Sequence, residues 1–415
     1  MRALRAHSVR QGSFGCTTAI LTSVLVLLLV SVGAVAFSMS SPDNTNIAAS
    51  RLQAQPGSLR WDGNRWTMLL LEANGKASRT SSITGLLVVS FDPRHRRLAM
   101  LSVPSNLWVT LPGFGRGRMA NAYTYGGSRL ALLAMQSALH VPIPYYAVVG
   151  TDTVGQLADA VGGVSVHVPQ ALAGRFDAKV SHPAIPGGTH RMDSATLTRF
   201  MQLPAVTAAG AILRMQRQGL GLKALATAIL QPASLPRVAG LVDSLGGTVI
   251  TNFPYDQVVP LSQALRRISR TSTDSEYLTL QNNAVTDYTT EGKPVLLPNW
   301  PRIHSIVQST FPDADLARGS GVQVENGTGT AGQAAAFAAW LRQCGVRIAG
   351  ESSAPSVGFT RTRVIIAQNA RTQTQYVARS VSTMLQAPLI TGSTRSTHAP
   401  ITVIIGDDYQ DLTQG

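Results

Sequence analysis

A helix-forming stretch in the middle of the chain carries three side chains that could bind a diphosphate. It reads RMQRQ, in which Arg214 and Arg217 lie three residues apart and therefore share a helix face, with Gln218 beside them. Guanidinium groups bind phosphate oxygens through paired, charge-assisted hydrogen bonds. A solvated helix face would show the same spacing, so the spacing alone leaves both interpretations open.

Two glycine-rich loops could also approach a phosphate. They are GFGRG at 113–117 and NGTGTAG at 326–332. Neither has the glycine positions of a Rossmann fingerprint or the Lys-Ser/Thr of a Walker A loop, so ordinary turns are favoured.

Two further groups of residues are candidate sites. Asp407 and Asp408 could bind a metal ion, although a turn at the end of a strand is the better explanation. Four tyrosines form an aromatic group that core packing explains most simply: Tyr123, Tyr125, Tyr145 and Tyr146.

Composition narrows the class of protein. The 415 residues are enough for two or three domains, and 44% hydrophobic with 13% charged residues predicts a substantial core. A net charge of +14 suits an anionic ligand or membrane, but the arginines are scattered without a basic-aromatic stripe, which argues against nucleic acid. Cys16 and Cys344 offer no disulfide framework, and the histidines show no zinc-like pairing, so no metal ligand is assigned.

The N-terminus predicts a membrane anchor. An apolar run from Ala19 to Phe37 has about the 20 residues that span a bilayer as a helix. Basic residues precede this run, so we expect a cytoplasmic N-terminus and extracellular domains on a single-pass plasma-membrane protein. A cleaved signal peptide is the alternative, because AVA at 34–36 resembles a cleavage site.

The hydrophobic pattern predicts the strands and helices that position the candidate residues. WTMLLLEA, ITGLLVVSF and RLAMLSVP predict strands, whereas SRLALLAMQSALH and ILRMQRQGLGLKALATAIL have the apolar spacing of helices. The alternation indicates an α/β or α+β fold. A composition change at 312–321 predicts a linker, followed by a small second domain with an alanine-rich helix closed by glycine.

An ordered set of motifs resembles a known family. LLLEANGKASRTSSITGLLVVSFDPRHRRLAMLSVPSNLWVTLPGFGRGRMANAYTYGG resembles the start of the LytR-CpsA-Psr domain, and the motifs YYAVVGTDTVGQLADAVGGVSVHVP, IPGGTHRMDSATL, RMQRQ and VITNF follow in family order. The tail, with VENGTGTAG and IIGDD, is similar to the LytR C-terminal domain. The layout predicted with this resemblance is a cytoplasmic arm 1–16, a transmembrane helix 17–38, a linker 39–64, a LytR-CpsA-Psr domain 65–312, a linker 313–320 and a LytR C-terminal domain 321–412.

The resemblance implies an α/β sandwich with a central mixed sheet and a cleft for a carrier lipid, plus a small C-terminal α/β domain. Family members take an anionic glycopolymer from a polyprenyl-pyrophosphate carrier and join it to cell-wall peptidoglycan. Arginines hold the pyrophosphate and acidic residues hold magnesium, which fits a reaction that depends on charge neutralisation and positioning. The resemblance carries pyrophosphate binding over to Arg79, Arg118, Arg214, Arg217 and Gln218.

Several charged family positions carry neutral residues in this chain. Acids and arginines are both replaced, at Asn74, Ser81, Ser105, Asn106, Gln202 and Pro204. Neutral amides and hydroxyls are poor magnesium ligands, so the family's magnesium is doubtful in this protein.

Two hypotheses compete, and they leave open whether the protein is an enzyme. It is a glycopolymer phosphotransferase with a changed catalytic set, Arg79, Arg214 and Glu72, in which Glu72 is a metal ligand or base. Alternatively, it is a catalytically impaired homologue that binds polyprenyl-phosphate lipid or wall polymer as a scaffold or regulator. A pyrophosphatase is a weaker third possibility because it also needs a metal site.

Overall fold

The computed structural model describes most of the chain beyond the predicted N-terminal linker. The described residues are 65–169, 175–177, 180–181, 185–203, 207–229, 249–253, 257, 273–290, 292–312, 321–385, 387–393 and 399–408. The predicted anchor 17–38, the linker 313–320 and Pro204 lie outside them. Within the described ranges, no helix is both long and apolar enough to cross a bilayer.

The first domain alternates strands with helices. Its strands are β1 (Trp66–Ala73), β2 (Ile83–Asp92), β3 (Arg97–Val103), β4 (Trp108–Leu111), β5 (Gly115–Arg118), β6 (Tyr145–Gly150), β7 (Val164–Val168), β8 (Arg175–Asp177), β9 (Val180–Ser181), β10 (Gly188–Met192), β11 (Val249–Thr251), β12 (Thr273–Tyr277), β13 (Val285–Thr290) and β14 (Lys293–Pro298). Its helices are α1 (Asn121–Leu139), α2 (Thr151–Ala160), α3 (Ser194–Gln202), α4 (Ala208–Ile229) and α5 (Trp300–Thr310).

A six-stranded mixed sheet forms the centre of this domain, in the order β11-β6-β1-β2-β3-β12. The pairs β1–β6 and β3–β12 are parallel, whereas β1–β2, β2–β3 and β6–β11 are antiparallel. Every residue of β1 is buried because helices cover both faces of the sheet. This arrangement confirms the predicted α/β class with a mixed central sheet.

Side-chain alternation along β1 divides the core into two layers. Leu69 and Leu71 pack with α1 and α5 on one face, and Met68 and Leu70 pack with α2 and α3 on the other. Helix α4 contributes to both layers, since its N-terminal half joins the first and its C-terminal half joins the second. It therefore passes the end of the sheet, where β1 finishes and β2 begins.

The second domain is the small α/β unit that the sequence predicts. Its strands are β15 (Val322–Asn326), β16 (Ile348–Ser353), β17 (Arg363–Ala367), β18 (Leu389–Gly392) and β19 (Ile401–Ile405), in the sheet order β16-β15-β19-β17-β18. Its helices are α6 (Gln333–Gln343) and α7 (Thr372–Leu385). Gly345, with φ +80°, lies just past the end of α6, as the predicted glycine cap requires.

Buried hydrogen bonds join the two domains. Leu133 of α1 packs into the hydrophobic core of the second domain. The Ser380 hydroxyl of α7 donates to the side-chain oxygen of Gln136, and the Tyr376 hydroxyl donates to the Pro142 carbonyl at 2.6 Å and also contacts Thr67. Because these groups are buried, separating the domains would leave several polar atoms without partners until water reached them.

Replacing Tyr376 with Phe should destabilise this junction. The substitution keeps the ring but removes the donor to the Pro142 carbonyl, a loss of about 1–3 kcal/mol in the free energy of unfolding. Denaturant unfolding measures the change, and Tyr288→Phe is the control because Tyr288 is exposed. Equal stability of the two variants would contradict a junction held by Tyr376.

Candidate functional site

A cavity of about 230 Å³ opens beside the N-terminal half of α4. We call it the Arg214 cavity. Six segments that the sheet topology brings together form its walls: the start of β2, the loop after β3, the end of β5, the start of α1, α4 with the residue that precedes it, and β14. The polar lining includes Ser105, Asn106, Arg118, Asn121, Thr207 and Arg214.

Arg214 lies in the wall of this cavity. Its Nη2 donates to the Ser105 hydroxyl at 3.1 Å, and its buried Nε has no hydrogen-bond partner. Burial lowers the pKa of the Arg214 guanidinium, and the nearby Glu72 carboxyl opposes that shift. Even lowered, an arginine pKa leaves the group charged at neutral pH. Arg214 therefore offers a fixed positive charge with an unused donor.

Glu72 lies behind Arg214 at the end of β1. An added Cβ on Gly85 would stand 2.7 Å from Glu72 Oε2 and 3.2 Å from Gln218 Oε1, so both side chains cover this glycine. Burial raises the pKa of Glu72 to about 8, and the charge of Arg214 opposes the rise. Glu72 is therefore largely protonated at neutral pH, where Arg214 keeps its positive charge without a counter-ion from this carboxyl.

Polar atoms without partners are concentrated here. Among the described residues, eight buried side-chain nitrogen or oxygen atoms have no hydrogen-bond partner. Four of the eight belong to Glu72, Asn106, Arg214 and Gln218. Native proteins pair nearly all such atoms, and unpaired ones call for a bound partner or a functional reason. Their grouping indicates a site prepared for a polar ligand.

Arg217 points to a different partner although it shares a helix face with Arg214. Its Nε donates to the Phe200 carbonyl at 3.0 Å and its Nη2 to the Leu203 carbonyl at 2.8 Å. Carbonyls at a helix C-terminus lack intrahelical partners, and a cation there is favourable. Burial lowers the pKa of Arg217 to about 10, with a smaller contribution from Arg214. The structure thus places Arg217 as a cap on α3.

Arg217→Ala should destabilise the fold more than it weakens phosphate binding. It leaves the Phe200 and Leu203 carbonyls without their donor, at a cost of about 1–3 kcal/mol in the free energy of unfolding. The exposed Gln216, on the same helix, provides the control Gln216→Ala. Denaturant unfolding and pyrophosphate titration of both variants would measure the two effects. A stable Arg217→Ala protein that no longer binds pyrophosphate would favour the sequence-based assignment over capping.

Two of the neutral replacements contact each other. Gln202 Nε2 donates to Asn74 Oδ1 at 2.9 Å and to the Thr151 hydroxyl at 2.7 Å. Asn74 stands where the resemblance implies an aspartate, and Gln202 where it implies an arginine. An amide pair therefore occupies positions that would otherwise hold opposite charges. The replacement keeps a hydrogen bond and removes both charges.

The other sequence-predicted residues are distributed around this centre. Arg118 lines the Arg214 cavity and donates through Nη2 to the Pro294 carbonyl at 3.3 Å. Arg79 is exposed on the loop after β1, where its charge acts on Tyr123 and Tyr146. The buried Ser81 hydroxyl accepts from the Ser78 amide and donates to the Lys76 carbonyl, so it closes a turn.

The remaining motifs are the turns of the second domain and the four tyrosines. NGTGTAG forms a turn closed by Asn326 and Thr328, and Asp408 accepts hydrogen bonds from Thr362 at the end of the last strand. These observations match the turns that the sequence favoured. The tyrosines are not one group, because Tyr123 and Tyr145 are buried while Tyr125 is 51% exposed.

Asn121 is a cavity residue that the sequence reasoning missed. It follows Arg118 closely in RMANAYTYGG, and the proximity of the two polar residues was the available signal. Its Nδ2 donates to the Tyr125 hydroxyl at 3.3 Å. Thr207 also lines the cavity; it precedes α4, and its hydroxyl accepts from the Gly210 amide, a role with no specific sequence signature.

The donor set does not fit magnesium. Glu72 is the one carboxylate near Arg214 in the geometry above, and its raised pKa keeps it mostly neutral at pH 7. Asn74 Oδ1, a second possible oxygen ligand, accepts from Gln202. Magnesium is usually held by charged carboxylates together with substrate phosphates. Among the described residues, no group of three or more His, Cys, Asp or Glu side chains could hold a metal ion.

Two family models match the chain. The model of the LytR-CpsA-Psr family matches residues 55–297, and the model described as LytR cell envelope-related transcriptional attenuator matches residues 320–409. The first match covers more than half of the 415 residues.

Curated relatives include two transferases and a regulator. A polyisoprenyl-teichoic acid–peptidoglycan teichoic acid transferase, TagU of Oceanobacillus iheyensis, is 25% identical over 247 residues, which are 57% of this chain and 74% of the relative. TagT of Bacillus subtilis, with the same transferase name, is 24% identical over 195 residues, 46% of this chain and 59% of the relative. Regulatory protein MsrR of Staphylococcus aureus is 29% identical over 188 residues, 44% of this chain and 54% of the relative.

Solved structures share the fold of the first domain. A protein from Streptococcus agalactiae superposes with a TM-score of 0.50 at 17% identity, covering 60% of this chain and 87% of that protein. At this identity the likeness concerns the fold alone.

Proposed function

Because the chain belongs to the LytR-CpsA-Psr family, we propose that it binds a polyprenyl-pyrophosphate-linked glycopolymer and transfers the polymer to cell-wall peptidoglycan. The names of TagU and TagT supply the substrate class, a polymer on a polyisoprenyl carrier and a peptidoglycan acceptor. The observation that carries the proposal for this chain is the Arg214 cavity, whose wall contains the half-buried Arg214 and the buried Asn106, each with one buried polar atom that has no hydrogen-bond partner.

The pyrophosphate occupies the Arg214 cavity in this proposal. The guanidinium groups of Arg214 and Arg118 donate to its oxygens, and the Asn106 amide lies in the same wall. Charge on a transferring phosphoryl group is spread over its oxygens, so fixed positive charge stabilises the transition state. Glu72 acts through Arg214, because a neutral carboxyl behind the arginine leaves the full positive charge facing the cavity.

The transfer step exchanges one phosphorus–oxygen bond for another. An acceptor hydroxyl of the cell wall attacks the phosphorus that carries the polymer, and the bond to the bridging oxygen of the pyrophosphate breaks. The polyprenyl phosphate leaves and takes up the proton of the attacking hydroxyl. No step passes through a metal ion.

We propose the same membrane placement as the sequence predicts, with the anchor at 17–38 and both domains outside the cell.

A second candidate function is binding without transfer. The Asn74–Gln202 amide pair favours it, because two charges that the family resemblance implies are absent together. Such a protein would hold the carrier lipid or the wall polymer as a scaffold or regulator. One of the relatives is itself named a regulatory protein.

A combined binding and release assay tests both candidates. The full chain in lipid nanodiscs is incubated with fluorescent polyprenyl pyrophosphate carrying a short glycan, with and without magnesium and with peptidoglycan fragments as acceptor. Transfer predicts polyprenyl phosphate release that depends on the acceptor. Binding without release supports the second candidate. A chain that neither binds nor releases the lipid would contradict both.

A further inference from the structure

An exposed aromatic pair adjoins the Arg214 cavity. The rings of Phe114 and Tyr125 stack with centroids 5.6 Å apart and planes inclined by 21°. Phe114 is 41% exposed and Tyr125 is 51% exposed. Single exposed apolar side chains are common, whereas contiguous exposed apolar surface beside a cavity is typical of binding sites. We call this pair the aromatic platform.

Backbone geometry holds both rings in place. Phe114 is at the tip of the β4–β5 hairpin between Gly113 and Gly115, whose φ values of +80° and +75° favour glycine. The Phe114 amide donates to the Leu111 carbonyl at 2.9 Å, which closes the turn. Tyr125 ends the first segment of α1, because Gly126 and Gly127 have non-helical backbone angles. The GFGRG and TYGG motifs therefore present the two rings.

The platform shares residues with the cavity. Asn121 lines the cavity and donates through Nδ2 to the Tyr125 hydroxyl at 3.3 Å. Arg118 lines the cavity and lies on β5, the second strand of the hairpin that carries Phe114. A molecule on the platform would therefore reach the rim where a bound pyrophosphate begins.

We propose that the aromatic platform binds a sugar ring of the acceptor glycan. A pyranose has an apolar C–H face and hydroxyls around its edge, and this matches a flat aromatic surface bordered by the Tyr125 hydroxyl and the Asn121 amide. Attack on phosphorus requires the acceptor hydroxyl within about 3–3.5 Å of it. A polysaccharide is too large for a cavity of about 230 Å³, so it must lie along the rim. The inference rests on the proposed function.

Ring removal tests the platform. The ligand is a soluble peptidoglycan tetrasaccharide, and the protein is the full chain in nanodiscs. Phe114→Ser and Tyr125→Ser should each weaken tetrasaccharide binding by about tenfold, whereas Tyr125→Phe, which keeps the ring, should lose less. Binding of polyprenyl pyrophosphate should stay unchanged in all three variants. Val357→Ser is the control, since Val357 is 66% exposed in the second domain.

The outcomes separate this inference from the proposed function. Unchanged tetrasaccharide binding in the serine variants would overturn the platform assignment. A loss of polyprenyl pyrophosphate binding in place of glycan binding would also overturn it and assign the rings to the lipid path. A third outcome is that the wild-type chain binds the tetrasaccharide but not the lipid, and that the serine variants lose tetrasaccharide binding. In that case the proposed function fails and the platform assignment stands.

Discussion

Replacing Arg214 with Ala should lower the affinity for polyprenyl pyrophosphate by about ten- to a hundredfold. Arg214 is a half-buried arginine of the cavity wall, and each charge-assisted hydrogen bond to a phosphate contributes about 1.5–3 kcal/mol. The change also leaves the Ser105 hydroxyl without its donor. Titration of the labelled lipid against the full chain in nanodiscs measures the loss.

Two companion variants sharpen this result. Arg214→Lys keeps the charge but not the planar set of donors, so we expect an intermediate affinity. Arg371→Ala removes an exposed arginine of the second domain and serves as the charge control. If Arg214→Ala bound the lipid as tightly as Arg371→Ala, the Arg214 cavity would not be the pyrophosphate site.

Local pattern predicted the elements of the fold well. The runs WTMLLLEA, ITGLLVVSF and RLAMLSV became β1, β2 and β3, because a strand buried on both faces needs a continuous apolar run. The strands and helices of the second domain were also predicted from the sequence, since glycines and alternating apolar residues delimit them. Periodicity reports on burial, and burial decides these elements.

Contacts between distant segments were beyond the sequence pattern. Asn74 and Gln202 are 128 positions apart, and their pairing depends on where α3 ends relative to β1. The spacing predicted the shared helix face of Arg214 and Arg217, but it could not predict which protein groups each side chain contacts. Arg217 meets the end of α3, whereas Arg214 faces the loop after β3. Helical spacing fixes a direction, and tertiary packing decides what lies there.

The tyrosines are a second case in which the sequence pattern did not predict the surroundings of a side chain. Sequence proximity joined Tyr123 and Tyr125 in one predicted aromatic group. A helix places residues two positions apart on different faces, and the irregular backbone at Gly126 and Gly127 ends the first segment just after Tyr125. One ring is therefore buried and the other exposed. A glycine pair within a helical pattern was the available signal for this separation.

Replacing Glu72 with Gln should abolish a pH dependence of ligand binding centred near pH 8. Below the raised pKa of about 8, Glu72 is protonated and Arg214 presents its full charge to the cavity. Above it, the carboxylate offsets that charge, so wild-type affinity for pyrophosphate should fall as pH rises through 8. Glu72→Gln is neutral at every pH and should keep its affinity. Comparing the two proteins at each pH cancels the ionisation of the ligand itself.

The ionisation of Glu72 should also change the free energy of unfolding with pH. Folding raises the pKa of Glu72 from 4.5 to about 8, so the folded state holds a proton that the unfolded state has lost between these values. The stability of the wild-type chain therefore falls as pH rises through this window, by on the order of a few kcal/mol. Glu72→Gln should flatten that part of the profile, measured by denaturant unfolding between pH 5 and 9. Glu351→Gln, at a carboxylate paired with Arg342, is the control.

The binding and turnover profiles of Glu72→Gln together distinguish the roles of this carboxyl. If Glu72 acts only through the charge of Arg214, the variant should transfer polymer at neutral pH about as well as wild type and better above pH 8. If Glu72 is the base that the sequence suggested, turnover should fall at every pH while lipid binding persists. Parallel binding profiles for wild type and Glu72→Gln would show that the buried carboxyl does not control the charge of the cavity.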